Sequence, residues 1–293
     1  MLILISDTFD AQLPKMLERH GEVTTDPARA AEAEIVLVRS RTKVTREYID
    51  KAPKLRLVIR GGVGLDNIDR AYAEQRGIAV RNTAEASTTA VAELAFAMMI
   101  AMPCRITAGD TAVRSGQWPK GQLERTELSG KTLGILGLGR IGLALAARAR
   151  GFKMRVVGWH PDQFFTDFAE IVPSLHETVA QSDFLSLHMP LVDETRGMVN
   201  AALLEHFRDG AYLVNTARGE IIVEQDVADA LRTGKLGGYA ADVFCSEPPA
   251  ADGPLLSAPN TIFTPHLGAS SAENMQRIGI MVERIVRDYA AGP

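Results

Sequence analysis

The stretch TLGILGLGRIG, residues 132–142, decides the fold. An apolar run over 132–136 breaks into Gly137, Gly139 and Gly142 at the GxGxxG spacing, and helical periodicity then continues to Gly151. That order is strand, tight turn, helix. In such a unit the first glycine takes the turn, the second lets the backbone approach a pyrophosphate, and the third lets the helix pack on the strand. Free N–H groups and the positive end of the helix dipole then face the phosphates. Glycines also collect in ordinary turns, but a place between strand and helix is the context that a dinucleotide motif requires.

Outward from this unit the chain keeps a strand–helix rhythm. Towards the N-terminus, residues 2–5, 35–38, 55–59 and 78–80 are strand candidates, and 9–20, 45–51 and 69–76 are helix candidates. Residues 86–102 form an Ala- and Met-rich helix, and Pro103 starts or kinks a second one towards Gly116. Towards the C-terminus, strands are expected at 132–136, 154–158, 184–187, 211–214, 238–241 and 261–263, with a last helix over 271–290. Alternation of this kind builds parallel sheets covered by helices on both faces.

Composition narrows the functional classes. At 293 residues there is room for two domains. The net charge is −4, with acids and bases interspersed, so no basic face invites nucleic acid and no polybasic segment invites a membrane. MLILISD at the N-terminus reads as a first strand and not as a signal peptide. The longest apolar helix, over 90–102, is too short for a bilayer and is interrupted by Glu93. Cys104 and Cys245, the two cysteines, fit a reducing cytoplasm better than a disulfide framework, and no Cys or His spacing suggests a metal site.

Four loops that follow expected strands carry unusual polar residues: RGGVGLDNID from Arg60, NTARGE from Asn215, ADVFCSEPP from Ala241 and TPHLGAS from Thr264. In open α/β sheets ligands bind at those strand ends. Together the loops resemble the D-isomer-specific 2-hydroxyacid dehydrogenases over nearly the whole chain. That resemblance implies two doubly wound parallel-sheet α/β domains. A Rossmann nucleotide domain, 101–269, would be inserted into a flavodoxin-like substrate domain made of 1–100 and 270–293. Two connections near Met102 and Ala269 would then act as a hinge.

The resemblance also implies roles. Arg218, Glu247 and His266 fall on the catalytic arginine, glutamate and histidine of the family. The types suit the chemistry: an imidazole moves the hydroxyl proton in either direction, a carboxylate orients it and favours its protonated form, and a guanidinium holds the carboxylate and polarises the keto oxygen. Gly137, Gly139, Arg140, Ile141 and Gly142 fall on the pyrophosphate turn, and Thr216, Arg218, Asp242, His266 and Gly268 on cofactor positions towards the nicotinamide. Asp242 also fits a loop cap. Val63 and Gly64 fall where backbone N–H groups meet the substrate carboxylate.

One cofactor position departs from the family pattern. After the second strand of the nucleotide fold, where an acid usually binds the adenosine ribose, the run is Gly158, Trp159, His160, Pro161. His160 removes the repulsion that excludes a 2′-phosphate, while no arginine follows in the loop to hold one. Asp162 could supply a carboxylate from two residues on, so the expected cofactor is NAD, with NADP left open.

Within the family, VRSRTKVT from Val38 is similar to the phosphoglycerate dehydrogenases, where arginines at the positions of Arg39 and Arg60 contact the substrate phosphate. A base at Lys120, after Gly116-Gln117-Trp118, reaches in from a neighbouring subunit there. A dianion calls for two or three converging cations; Arg39 with Arg41 and Lys43 also fits a solvated loop. The expected reaction is D-3-phosphoglycerate to 3-phosphohydroxypyruvate, without the C-terminal regulatory domain of many phosphoglycerate dehydrogenases. A glyoxylate or hydroxypyruvate reductase is the alternative, and an NAD-sensing, dimeric corepressor-like protein is the alternative of another class. Apolar helices over 86–116 followed by Trp118 point to a homodimer.

Overall fold

The computed structural model describes residues 1–162 and 165–292. The chain divides into two compact units, Met1–Ala90 with Ala269–Pro293, and Val91–Gly268.

The first unit contains β1 (Leu2–Ile5), α1 (Leu13–Leu17), β2 (Glu22–Thr24), β3 (Ile35–Val38), α2 (Arg46–Asp50), β4 (Leu57–Arg60), α3 (Arg70–Gln75) and β5 (Ala79–Asn82). All pairings are parallel and the strand order is β2-β1-β3-β4-β5, the flavodoxin-like order. Successive strand residues point to opposite faces. Leu2, Leu4, Val36, Val38 and Val58 therefore pack with Ile49 and Ala73. Ile3, Ile5, Ile35, Leu37, Leu57 and Ile59 pack on the other side with Leu13, Leu17, Ile278, Val282 and Val286. The last three come from the long C-terminal helix, which thus belongs to this core although it is remote in sequence.

After α4 (Thr88–Ala101) and α5 (Ile106–Arg114), the second unit runs β6 (Thr132–Leu136), α6 (Arg140–Gly151), β7 (Arg155–Trp159), β8 (Glu170–Ile171), α7 (Leu175–Gln181) and β9 (Phe184–Leu187). It continues with α8 (Ala201–Glu205), β10 (Ala211–Asn215), α9 (Glu224–Thr233), β11 (Leu236–Ala241) and β12 (Thr261–Phe263), and α10 (Ala272–Ala290) closes the chain in the first unit. The seven-stranded order β12-β11-β10-β9-β6-β7-β8 is all parallel. Its chain reverses direction across the sheet between β6 and β9, the Rossmann switch point where open sheets bind ligands. α4 and α6 cover one face, through Ala92, Ala95, Met99, Leu145 and Ala149. α7, α8 and α9 cover the other, through Val179, Leu203, Val227 and Leu231.

Local differences from the sequence reading have physical causes. β2 and β8 were not expected; they are edge strands of three and two residues with no apolar run, and pairing to β1 and β7 creates them. The first helix covers 13–17 instead of 9–20, because Pro14 suits only its opening turn. The helix after Pro103 begins at Ile106, since Arg105 takes a left-handed φ of 56°. Among the described residues no single helix is long and apolar enough to cross a membrane.

Ile278 is fully buried between α10 and the first sheet. Ile278→Ala is expected to cost about 2–5 kcal/mol, read as a lower urea midpoint of unfolding; an unchanged midpoint would show that α10 contributes nothing to that core.

Candidate active site

The glycine turn is built by close approach. A Cβ on Gly142 would lie 2.3 Å from the Gly137 carbonyl oxygen, and one on Gly137, whose φ is +99°, would lie 2.7 Å from the His188 carbonyl. Only glycine lets α6 start this near the end of β6. The Gly137 N–H donates to the Trp159 carbonyl at 2.9 Å, which brings the end of β7 beside the turn. Among the described residues nothing fills the space that a Gly139 side chain would occupy, and no side chain caps α6. Arg140 and Ile141 are its first two residues. This cradle fits a pyrophosphate. At the end of β10, Thr216 Oγ1 is buried without a hydrogen-bond partner among the described residues, the kind of atom a bound polar group satisfies.

Asn215 pairs with Ala241, and Ala241 with Phe263, so the loops after β10, β11 and β12 leave the sheet side by side. The first is braced by fully buried Asn215: its Nδ2 donates to the Arg218 carbonyl at 2.9 Å, and its Oδ1 accepts from the Ala217 N–H at 3.0 Å. Gly219 lies on the backbone of Phe244 and Cys245, where a Cβ would fall 2.0 Å from the Phe244 carbonyl carbon. The Arg218 loop and the Glu247 loop are therefore in contact.

His266 has a φ of 54°, in the left-handed region that side chains disfavour. Asp242 holds it there. Its carboxylate accepts from Thr264 Oγ1 at 2.5 Å, the Leu267 N–H at 2.7 Å and the Gly268 N–H at 2.8 Å, and its own carbonyl accepts from the His266 N–H at 2.9 Å. Asp242 is 1% exposed, so these donors offset the cost of burying its carboxylate. His266 Nδ1 then meets Glu247 Oε2 at 2.7 Å. Burial raises the pKa of Glu247, but the hydrogen bond and charge of His266, with the Phe244 N–H and the Arg218 charge, outweigh it and leave the carboxyl below the usual glutamate value.

The structure thus gathers Arg218, Glu247, His266, Asp242, Thr216 and Gly268 at adjacent strand ends of the second unit. In the first unit Val38 pairs with Arg60, which places Arg39 and Arg60 at neighbouring strand ends, with Val63 and Gly64 in the loop that follows. Arg60 is 9% exposed. The Val63 carbonyl accepts from Asn82 Nδ2 at 2.6 Å. Arg39 Nη2 donates to the Ala269 carbonyl at 3.1 Å, while its Nε is buried without a partner among the described residues. Lys120 belongs to the second unit and is exposed.

Two supports carried no role in the sequence reading. Asn215 was visible only as the first letter of a polar loop. Asp7, 8% exposed, accepts from the Arg39 and Thr42 N–H groups at 2.6 and 3.2 Å and from Thr42 Oγ1 at 2.7 Å, shaping the loop that presents Arg39. The one signal for it was a lone acid at the end of the first strand.

Residues 96–268 match the family described as D-isomer specific 2-hydroxyacid dehydrogenase, NAD binding domain. The chain belongs to that family. A hydroxypyruvate reductase of Thermotoga maritima is 40% identical over 260 residues, 88% of this chain and 85% of that relative. A D-3-phosphoglycerate dehydrogenase of Methanocaldococcus jannaschii is 37% identical over 302 residues, covering 99% of this chain; the chain spans 57% of that relative's length. Among solved structures, a D-lactate dehydrogenase from Aquifex aeolicus complexed with NAD and lactic acid superimposes with a TM-score of 0.89 at 28% identity, covering 100% of this chain and 96% of that one.

The pH dependence of stability tests the His266–Glu247 pair. Because the fold favours ionised Glu247, the pair's contribution is present above the ordinary glutamate pKa and is lost as pH falls through the lowered one. Glu247→Gln is expected to flatten this acid limb, so that its urea midpoint declines less steeply than that of the unsubstituted chain; parallel declines would contradict the assignment.

Proposed function

We propose that this chain is an NAD-dependent oxidoreductase acting on the CH–OH group of D-2-hydroxy acids. The observation that carries the reading is the 2.7 Å bond between His266 Nδ1 and Glu247 Oε2, with the Arg218 charge acting on the same carboxylate. It lies in the unit that also holds the open glycine cradle. Bound NAD or NADH supplies the hydride acceptor or donor.

With Nδ1 committed to Glu247, Nε2 is the ring atom that exchanges a proton with substrate. During oxidation it takes the hydroxyl proton; during reduction it returns a proton to the keto oxygen, and ionised Glu247 stabilises the imidazolium. The Arg218 guanidinium binds the substrate carboxylate and stabilises charge that develops on the keto oxygen. Val63 and Gly64 offer backbone N–H groups to the carboxylate. Cofactor contacts are assigned to Gly137, Gly139, Arg140, Ile141, Gly142, His160, Thr216, Arg218, Asp242, His266 and Gly268, with His266 contributing far more to proton exchange than to binding.

The preferred pair is D-3-phosphoglycerate and 3-phosphohydroxypyruvate. Neighbouring Arg39 and Arg60 support a doubly charged anion, and the buried Nε of Arg39 is a donor for a phosphate oxygen. Lys120 is the third cation under this reading. The 40% identical Thermotoga maritima hydroxypyruvate reductase favours a second, unphosphorylated substrate class. We also assign a homodimer: α5 has no buried residue, Ile106 and Val113 on it are 53% and 55% exposed, and Trp118 is 78% exposed, an apolar surface suited to a second copy. Two free thiols support a reducing compartment, and the reading places the chain in the cytoplasm, in serine biosynthesis.

A panel of 2-hydroxy and 2-keto acids followed by NADH absorbance is expected to show turnover above about 1 per second, highest with 3-phosphohydroxypyruvate. Arg60→Ala should lower kcat/KM for the phosphorylated acid by about 100-fold and change that for glyoxylate far less. Equal losses would remove the phosphate assignment. Absence of turnover across the panel would favour a dinucleotide-sensing binding protein.

A further inference from the structure

At the end of β7 the chain carries an imidazole where NAD sites of this topology carry an acid. The strand stops at Trp159, whose carbonyl accepts the Gly137 N–H at 2.9 Å, so the next residue, His160, leaves the sheet directly beside the glycine turn. In a Rossmann site this strand end, roughly 20 residues beyond the glycines, meets the adenosine ribose. A carboxylate there accepts from the 2′-hydroxyl and repels a 2′-phosphate.

The imidazole reverses that polarity. The Asp162 N–H donates to His160 Nδ1 at 3.1 Å, so the neutral ring carries its own proton on Nε2. An Nε2–H is a donor, and a donor serves a ribose hydroxyl oxygen and a phosphate oxygen alike. The neighbouring carboxylate, Asp162, is two residues further along the loop and exposed, whereas His160 itself is half-buried at the strand end.

We propose that His160 removes discrimination at the ribose 2′ position, so that NADP and NADPH bind beside NAD and NADH. This deepens the proposed function and rests on its dinucleotide site, but not on which acid is the substrate.

Binding tests it without turnover. NADH and NADPH are titrated into the full chain by nicotinamide fluorescence, and AMP and adenosine 2′,5′-bisphosphate by calorimetry to isolate the adenosine half. The Kd values of NADH and NADPH are expected to agree within about tenfold. His160→Asp should raise the NADPH-to-NADH ratio of Kd values by about 100-fold or more, because only the 2′-phosphate is repelled by the new charge. The two adenosine fragments should follow the same pattern. A preference beyond about 100-fold in either direction in the unsubstituted chain, or an unchanged ratio in His160→Asp, overturns the inference. If NADH alone binds, the proposed activity stands and this inference falls; if neither dinucleotide binds, both fall.

Discussion

The candidate site hangs on the carboxylate of Asp242. It sits at the end of β11, almost without solvent contact, and takes three donors from the segment that leaves β12. Those bonds do two things at once. They satisfy a charge that would be costly to bury alone, and they hold His266 in a backbone conformation with φ near the left-handed helix value. Local strain of this kind persists only where surrounding structure fixes it. The outcome is an imidazole turned to Glu247, with Nδ1 committed to its carboxylate.

Sheet order explains why the participants meet. Parallel strands send all their C-terminal ends to one edge, so residues separated by tens of positions in sequence become neighbours. Asn215, Ala241 and Phe263 end three adjacent strands in register, and the polar loops begin immediately after them. Gly219 then presses one loop on the next with no room for a side chain, tying the Arg218 segment to the Glu247 segment. On the same sheet, the close packing of Gly137 and Gly142 opens a cradle whose N–H groups no side chain caps among the described residues. The residues proposed for charge recognition, proton exchange and dinucleotide binding thus owe their placement to one geometric fact about parallel sheets.

Much of this was legible in the amino-acid order. The central strands are apolar runs of four to six residues, and the GxGxxG spacing marks a β–α junction where backbone must pass close to backbone. β2 and β8 were not legible, because Glu22–Thr24 and Glu170–Ile171 owe their conformation to a neighbouring strand and not to their own side chains. Arg218, Glu247 and His266 stood out only through their motifs; taken singly each is an ordinary polar loop residue. What no motif announced is the support. The bracing by Asn215, the closure of the Arg39 loop on Asp7, and the donors gathered by Asp242 depend on which strand ends lie side by side.

The central claim is that His266 exchanges the reacting proton while taking little part in holding the dinucleotide. Its most direct measurement pairs NADH affinity with single-turnover rate in His266→Ala. The account predicts a Kd within about threefold of the unsubstituted chain and a rate lower by about 10²–10⁴-fold. A variant that binds NADH equally well and retains most of its rate would contradict it.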